Sequence, residues 1–202
     1  MNQHLTPDSQ HLYAQLTQLK QELDSATKSH YNRTNPLNES LANWQVKNKQ
    51  VTGYDKGTVY DSSTIIGDVS IGEGCWIGPF TMVDGGGGLT IGNSVTLSAQ
   101  AQIYTHDTLK HTLSGGVMPY EYESVSIGDN CFIGTGAVIL KGSHLSNNCL
   151  VAAGSVVSGT YEAFSIIGGV PAKKIGTVSK QPDGTIQLNY IQQTESNTRG
   201  AT

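Results

Sequence analysis

Side chains that move protons or bind polar ligands concentrate in one segment, residues 104–124. It contains three tyrosines, two histidines, one aspartate and two glutamates. Histidine exchanges protons near neutral pH, and a polar, aromatic loop on a rigid scaffold is where function is expected. A second polar interruption, Asp84-Gly85-Gly86-Gly87-Gly88, lies upstream. Both segments interrupt a regular array, so that array must position them.

The array is an internal repeat in which an aliphatic residue recurs at every sixth position. The residue two positions earlier is small or branched, and glycine often follows the aliphatic residue. A period of six does not fit an α-helix and is typical of a parallel β-helix with three faces per coil. We expect glycine after the aliphatic residue to serve turns with unusual backbone angles. The aliphatic positions are Val59, Ile65, Ile71, Ile77, Val83, Ile91, Leu97, Ile103, Ile127, Ile133, Ile139, Leu145, Val151 and Val157.

Composition excludes several classes of partner. The net charge of -4 argues against nucleic acid or an anionic membrane surface. No apolar run is long enough to span a membrane, and Met1 to Leu23 lack an apolar signal core, so the expected compartment is the cytoplasm.

The three cysteines, Cys75, Cys131 and Cys149, all occupy the inward small-residue position, which predicts a packing role and no metal site.

The pattern divides the chain into three parts: residues 1–57, 58–176 and 177–202. The first is a helix and an irregular lead-in, the second is the β-helix with its loop at 104–124, and the third is a hairpin and a polar tail, frayed from residue 193. Thr6 and Pro7 predict a helix that begins there and ends near Ala26. Its leucine stripe predicts packing on the prism or contact with a neighbouring copy rather than an independent coiled coil. Trp44 is expected to anchor a short helical turn that begins near Asn38.

Three stretches narrow the fold to a family resemblance. YTHD at 104–107, AAGSVV at 152–157 and GGVPAK at 168–173 resemble the hexapeptide acyltransferases, a group that includes galactoside, maltose and xenobiotic acetyltransferases. The resemblance covers roughly residues 58–176. It implies a left-handed parallel β-helix, a homotrimer with active sites in grooves between neighbouring prisms, and acetyl-CoA as donor without a metal.

The resemblance also implies roles for particular residues. His106 would be the general base, and the backbone N–H of Thr135 would bind the oxyanion. Asp107 either orients the imidazole or caps a turn. The predicted coenzyme A contacts are Ala153, Gly154, Ser158, Lys173 and Lys174, and the predicted acceptor contacts are Asp84, Tyr104, Asp107 and Glu123.

These observations predict an acetyl-CoA-dependent O-acetyltransferase that acts on a hydroxyl of a sugar or glycan precursor. A nucleotide-amino-sugar N-acetyltransferase is the near alternative. A zinc lyase like the γ-carbonic anhydrases needs three histidines, and the prism offers only His106, His111 and His144, in an unfavourable order. A non-catalytic β-helix scaffold is the third class. The identity of the acceptor stays open.

Overall fold

The computed structural model describes residues 5–191, which form a parallel β-helix of about six turns. The predicted fold class is confirmed: the chain is dominated by β structure in a left-handed parallel β-helix, with an N-terminal helix and a C-terminal hairpin. The predicted polar tail, residues 193–202, and the first four residues lie outside the described part. The helices are α1 (Pro7–Tyr31), α2 (Leu37–Leu41), α3 (Trp44–Thr52) and α4 (Leu109–Leu113).

Short strands stack into three faces, here called A, B and C, which meet at corners AB, BC and CA. Strands β2 (Thr64–Ile71) and β4 (Met82–Ile91) are long enough to run from face B around corner BC onto face C. Face A contains β1 (Thr58–Val59), β3 (Trp76–Ile77), β5 (Thr96–Leu97), β10 (Phe132–Ile133), β13 (Leu150–Val151) and β16 (Ser165–Gly169). Face B continues with β6 (Gln102–Ile103), β11 (Val138–Ile139) and β14 (Val156–Val157), and face C with β9 (Val125–Ile127), β12 (His144–Leu145) and β15 (Thr160–Tyr161).

The aliphatic residues of the repeat form the core. All but Ile65, which is partly buried, are buried, and equivalent residues face each other across adjacent coils, as Ile77 faces Leu97 and Ile133 faces Val151. The three cysteines are buried and free. Burial raises the pKa of the Cys75 thiol, which disfavours a reactive thiolate and agrees with the predicted packing role.

The glycines that follow the aliphatic residues serve a different purpose from the one expected. Gly128 and Gly134 do not have the positive φ of a left-handed turn. A Cβ on Gly134 would lie 2.5 Å from the backbone nitrogen of Ala153, so glycine is required because adjacent coils approach closely there. The left-handed backbone instead falls just before the inward small residue, as at Asn130 and Asn148, whose φ angles are 56° and 60°. The expected turn role is therefore wrong for these glycines.

Helix α1 begins as predicted but extends further. The side chain of Thr6 caps it by accepting from the N–H of Ser9, and the helix runs to Tyr31 instead of ending near Ala26. No residue of α1 is buried, and Leu12 and Leu16 are 56% and 43% exposed. Packing of the leucine stripe on the prism is therefore wrong, because α1 packs against α2 instead. Contact with a neighbouring copy stays a prediction.

The lead-in docks on the first coil through Glu39 and Trp44. The predicted turn near Asn38 is confirmed as α2, and Trp44 begins α3 and stacks on Tyr60 with ring centroids 4.3 Å apart. Glu39 is buried and accepts hydrogen bonds from the indole N–H of Trp44 at 2.7 Å and the backbone N–H of Ser62 at 2.8 Å. Burial alone would raise the pKa of Glu39, but the hydrogen bonds from Ser62, Asp61 and Trp44 lower it below its ordinary value.

The C-terminal strands form the predicted hairpin. Strand β17 (Ala172–Lys180) pairs antiparallel with β16 and with β18 (Ile186–Tyr190), and the turn contains Pro182, Asp183 and Gly184. Within residues 5–191, no helix combines the length and apolar character needed to cross a bilayer.

Replacing Glu39 with alanine is expected to lower the free energy of unfolding by about 2 kcal/mol, because it leaves partly buried N–H donors without an acceptor. Since the folded pKa is lowered, this contribution is present above pH 4.5 and is lost as the pH falls below it. Urea unfolding at pH 7 and pH 3.5 measures both effects. Glu22→Ala, which removes an exposed helix carboxylate, is the matched control. Equal stability of the Glu39 and Glu22 variants at pH 7 would contradict this role.

Candidate active site

The glycine run and the loop occur at the same corner of the prism, BC, in consecutive coils. The chain leaves face B after Val83 and rejoins face C at Leu89; one coil later it leaves after Ile103 and rejoins at Val125. Because these coils are paired in register, Asp84 lies beneath the first residues of the loop. The two irregular segments therefore form one structural unit.

An aspartate–histidine pair lies at this corner. Nδ1 of His106 and Oδ2 of Asp84 are 2.5 Å apart, and the other carboxylate oxygen of Asp84 accepts from the N–H of Gly86 at 2.8 Å. The Asp84 side chain is 2% exposed and that of His106 is 34% exposed. A carboxylate that is hydrogen-bonded to Nδ1 fixes the tautomer in which the proton is on Nδ1. Nε2 is then left as the proton acceptor on the open side of the ring.

The glycine run lets the loop approach the coil below. The N–H of Gly87 donates to Oγ1 of Thr105 at 2.7 Å, and a Cβ on Gly87 would lie 2.4 Å from the carbonyl oxygen of Thr105. A Cβ on Gly86 would lie 3.1 Å from Asp84 Oδ1. The run is therefore a place of close backbone approach that holds the residue before His106.

The loop carries a two-stranded antiparallel ribbon of β7 (His106–Asp107) and β8 (Glu121–Tyr122). It places the ring of Tyr122 on that of His106, with centroids 5.5 Å apart and planes inclined by 21°. His111 is held within the loop, since its Nδ1 lies 2.7 Å from the carbonyl oxygen of Met118 and its ring meets Tyr120 edge-on. Only one of the two loop histidines thus faces the glycine run.

Lys141, in the next coil at corner BC, ties the ribbon to the prism. Its ammonium lies 3.0 Å from Glu123, 3.1 Å from Glu121 and 3.5 Å from Asp107, and its side chain is 17% exposed. Hydrogen bonds to Glu123 and Glu121 raise the pKa of Lys141 above its ordinary value. Hydrogen bonds from Lys110 and Lys141 in turn lower the pKa of Glu121. The lysine is charged across the physiological range and spans both strands of the ribbon.

The predicted acceptor residues lie at or beside corner BC, but most are engaged with protein groups. Asp84 is behind the imidazole rather than open to a ligand. The hydroxyl of Tyr104 donates to Gln102 at 2.8 Å, and Glu123 pairs with Lys141. Asp107 accepts from the N–H of Leu109 at 3.0 Å, which favours the turn-cap alternative over orientation of His106. Their acceptor roles stay predictions.

The predicted donor residues divide between two corners. Thr135, Ala153 and Gly154 stack at corner AB, where the N–H of Gly154 donates to the carbonyl of Thr135 at 2.9 Å. Lys173 is exposed, pairs with Gly168 of β16 and lies at this same corner. Ser158 instead lies at corner BC, and Lys174 pairs with Glu162 at 3.2 Å.

The oxyanion donor and the base are therefore apart in one chain. About five residues of extended strand, roughly 16 Å, separate corner AB from corner BC along face B. A single copy does not bring Thr135 next to His106.

The sequence missed three features of the site: Asp84 as the partner of His106, Tyr122 as its stacking neighbour, and Lys141 as the anchor of the loop. One signal was available for Asp84. It follows the face-B aliphatic residue Val83 just as Tyr104 follows Ile103, so the repeat itself places these two corners in adjacent coils.

The three prism histidines have separate surroundings. His106 contacts Asp84, His111 contacts Met118, and Nδ1 of His144 lies 2.8 Å from the hydroxyl of Ser126 on face C. Among residues 5–191, no group of three or more His, Cys, Asp or Glu side chains has the geometry to hold a metal ion. The zinc lyase alternative therefore has no ligand set in the described part of the chain.

Comparison with known proteins shows similarity to hexapeptide-repeat proteins. Residues 124–158 match the family model described as the hexapeptide repeat of succinyl-transferase. The chain is 30% identical over 122 residues to the dTDP-4-amino-4,6-dideoxy-D-glucose acyltransferase of Escherichia coli; this region covers 57% of the chain and 64% of the relative's length.

Two solved structures share the fold. AntD, an N-acyltransferase from Bacillus cereus in complex with dTDP and 3-hydroxybutyryl-CoA, aligns with a TM-score of 0.55 and 23% identity over 60% of this chain and 69% of that one. A maltose O-acetyltransferase from Clostridium difficile 630 aligns with a TM-score of 0.53 and 22% identity over 82% and 89% of the two chains. The predicted resemblance to hexapeptide-repeat acyltransferases is thus confirmed in repeat and fold.

Replacing Lys141 with methionine is expected to release the ribbon, because Asp107, Glu121 and Glu123 lose their shared cation. Amide hydrogen exchange in residues 104–124 should quicken by roughly tenfold while the coils keep their protection. Lys110→Met is the matched control, since Lys110 is more exposed and pairs with Glu121 alone. Unchanged exchange in the loop of the Lys141 variant would show that the ribbon is held by other contacts.

Proposed function

We propose that this chain, which carries the repeat and the fold of the hexapeptide-repeat acyltransferases, is an acetyl-CoA-dependent O-acetyltransferase for a hydroxyl of a sugar or glycan precursor. It acts in the cytoplasm as a homotrimer. The 30% identity to a sugar acyltransferase supports a sugar-based acceptor, and the fold shared with AntD and the maltose enzyme supports an acyl-CoA donor.

The Asp84–His106 pair carries the proposal. Acyl transfer to a hydroxyl needs a base that removes the hydroxyl proton as the oxygen attacks the thioester carbonyl. Nε2 of His106 takes that proton, and the buried carboxylate of Asp84 stabilises the imidazolium that forms. The proton then passes from Nε2 to the leaving coenzyme A thiolate, which restores the neutral imidazole.

The oxyanion of the tetrahedral intermediate requires a hydrogen-bond donor at the reacting carbon. The backbone N–H of Thr135 suits this role, since it makes no hydrogen bond within residues 5–191. Ala153 and Gly154 leave corner AB with little side-chain bulk, which lets the pantetheine arm follow the backbone towards the exposed Lys173. Lys173 provides a cation for a phosphate of coenzyme A.

The separation of the two corners supports the homotrimer. The base at corner BC and the donor track at corner AB meet when corner BC of one copy faces corner AB of the next, which a threefold arrangement of prisms achieves in every groove. Each active site then combines His106 of one copy with Thr135 and Ala153 of its neighbour.

N-acylation of a nucleotide-linked amino sugar is the second candidate. The observation that favours it is the identity to an acyltransferase named for a dTDP-amino sugar. The same imidazole would deprotonate an ammonium or the attacking amine.

We expect His106→Ala to reduce acetyl transfer by about 10²–10⁴-fold while coenzyme A binding is retained, since the base does not hold the donor. Asp84→Asn should reduce it at least about tenfold, because the asparagine amide does not fix the imidazole tautomer. The measurement is thiol release from acetyl-CoA with a panel of sugars, nucleotide sugars and their amino counterparts. His111→Ala is the control, since His111 contacts only its own loop.

Turnover with hydroxyl acceptors alone would establish the O-acetyltransferase, and turnover only with amino sugars would replace it with the second candidate. Wild-type activity in the His106 variant would remove this residue as the base. Absence of coenzyme A binding together with stoichiometric zinc would overturn acyl transfer altogether.

Co-expression of two inactive variants tests the shared groove. His106→Ala lacks the base, and Ala153→Trp blocks the donor track at an exposed corner position. In randomly mixed trimers, about a quarter of the grooves pair an intact His106 with an intact Ala153 and should recover activity, although each variant alone is inactive. Mixed trimers that stay at the background level would show that each active site uses one chain.

A further inference from the structure

Arg33 lies in a polar pocket among the N-terminal helices, between residues 27 and 45. The pocket measures about 480 Å³ and is bordered by Tyr31, Arg33, Asn35, Asn43 and Trp44, among others. Trp44 stacks on Tyr60, which begins corner AB of the first coil, so the pocket is fixed to the prism. It belongs neither to the aspartate–histidine pair nor to the predicted donor track.

The guanidinium of Arg33 stacks on aromatic rings. Its central carbon lies 4.5 Å from the ring centroid of Trp44 and 5.3 Å from that of Tyr31. Stacking fixes the plane of the group and leaves its edge, which carries the terminal N–H donors, free for ligands. Such an edge matches the two oxygens of a carboxylate or phosphate.

No hydrogen bond or ion pair holds this guanidinium within residues 5–191, and its Nε is buried without a partner. The carboxylate that borders the same pocket, Glu39, is already engaged. Its oxygens accept from Trp44, from the N–H of Asp61 at 3.1 Å, and from the N–H and hydroxyl of Ser62 at 2.8 and 2.5 Å. Lys20 and Asp24 pair with each other. The positive charge of Arg33 therefore lacks a counter-charge from these nearby groups.

We propose that the Arg33 pocket binds the anionic group of a small organic phosphate or carboxylate. The guanidinium edge binds two oxygens of the anion in a fork. The side chains of Asn35, Asn43 and Gln45, which also border the pocket, supply neutral polar contacts to the rest of the ligand. The exposed ring of Tyr31 offers a platform at the mouth.

Trp44 provides a direct reporter of binding. The chain has two tryptophans, Trp44 and Trp76, so a Trp76→Phe background leaves the pocket indole as the only one. In this background, inorganic phosphate, uridine diphosphate, glucuronate and uncharged glucose are titrated at constant ionic strength without acetyl-CoA. We expect a saturable change of indole fluorescence with the anions and none with glucose.

Arg33→Gln, which removes the charge but keeps a polar side chain, is expected to weaken binding of the anions at least about tenfold. Arg33→Lys keeps the charge but loses the fork and should fall between the two. Lys28→Gln is the matched control, because Lys28 is a nearby exposed cation that contacts Asn32. It should bind like the background protein.

The pattern of probes identifies the ligand class. Saturation by phosphate and uridine diphosphate alone indicates an organic phosphate, and saturation by glucuronate alone indicates a carboxylate. Equal binding by the Arg33→Gln variant, or no saturable response to any anion, would overturn the proposal and leave Arg33 as a packing group on Trp44. Since acetyl transfer is not measured, this outcome is independent of the proposed enzymatic activity.

Discussion

The register between stacked coils is the constraint on which the rest of this structure depends. Parallel pairing fixes residues 16 to 36 positions apart against each other, as His144 pairs with Thr160 and Thr96 pairs with Phe132. Faces cannot vary without breaking this pairing, because their inward residues fill the core. The corner segments do not have to fill the core. A long insertion between Ile103 and Ile127 therefore leaves the coils above and below in register, and it is at this corner that the reactive groups meet.

The same register explains how the buried carboxylate of Asp84 comes to contact the partly exposed imidazole of His106. Asp84 belongs to one coil and His106 to the next, so their contact follows from strand pairing rather than from a flexible loop. The glycine run removes the side chains that would hold the coils apart. Lys141, one coil further, provides the opposite charge to the carboxylates of the ribbon. Three successive turns of the prism thus fix a segment that, by its length and polarity, would otherwise have many conformations.

The sequence predicted the fold well because the repeat is set by local sterics: an aliphatic residue for each face and a small residue beside each corner. It predicted less of the site, since side-chain partners at a corner depend on the detailed path of an irregular chain. Asp84 was predicted to contact the acceptor, but the structure pairs it with His106. The glycines after the aliphatic residues were expected to be turn residues, but they are close-approach positions. The leucines of α1 have helical spacing, but periodicity does not say what covers the stripe.

The division of predicted site residues between two corners has a physical consequence for how such a prism acquires an activity. A straight prism presents its corners in different directions, so no single corner surrounds a substrate. Surrounding one requires either a loop that folds back across a face or a second prism. The ribbon of β7 and β8 stays at corner BC, held there by Lys141, and does not reach corner AB. We propose association of copies as the solution, in which the rigidity that separates the proposed base from the proposed donor track within a chain would also hold them at a fixed distance across the groove. In the proposed homotrimer, the packing that makes the coils stiff is therefore also what places the active site between copies.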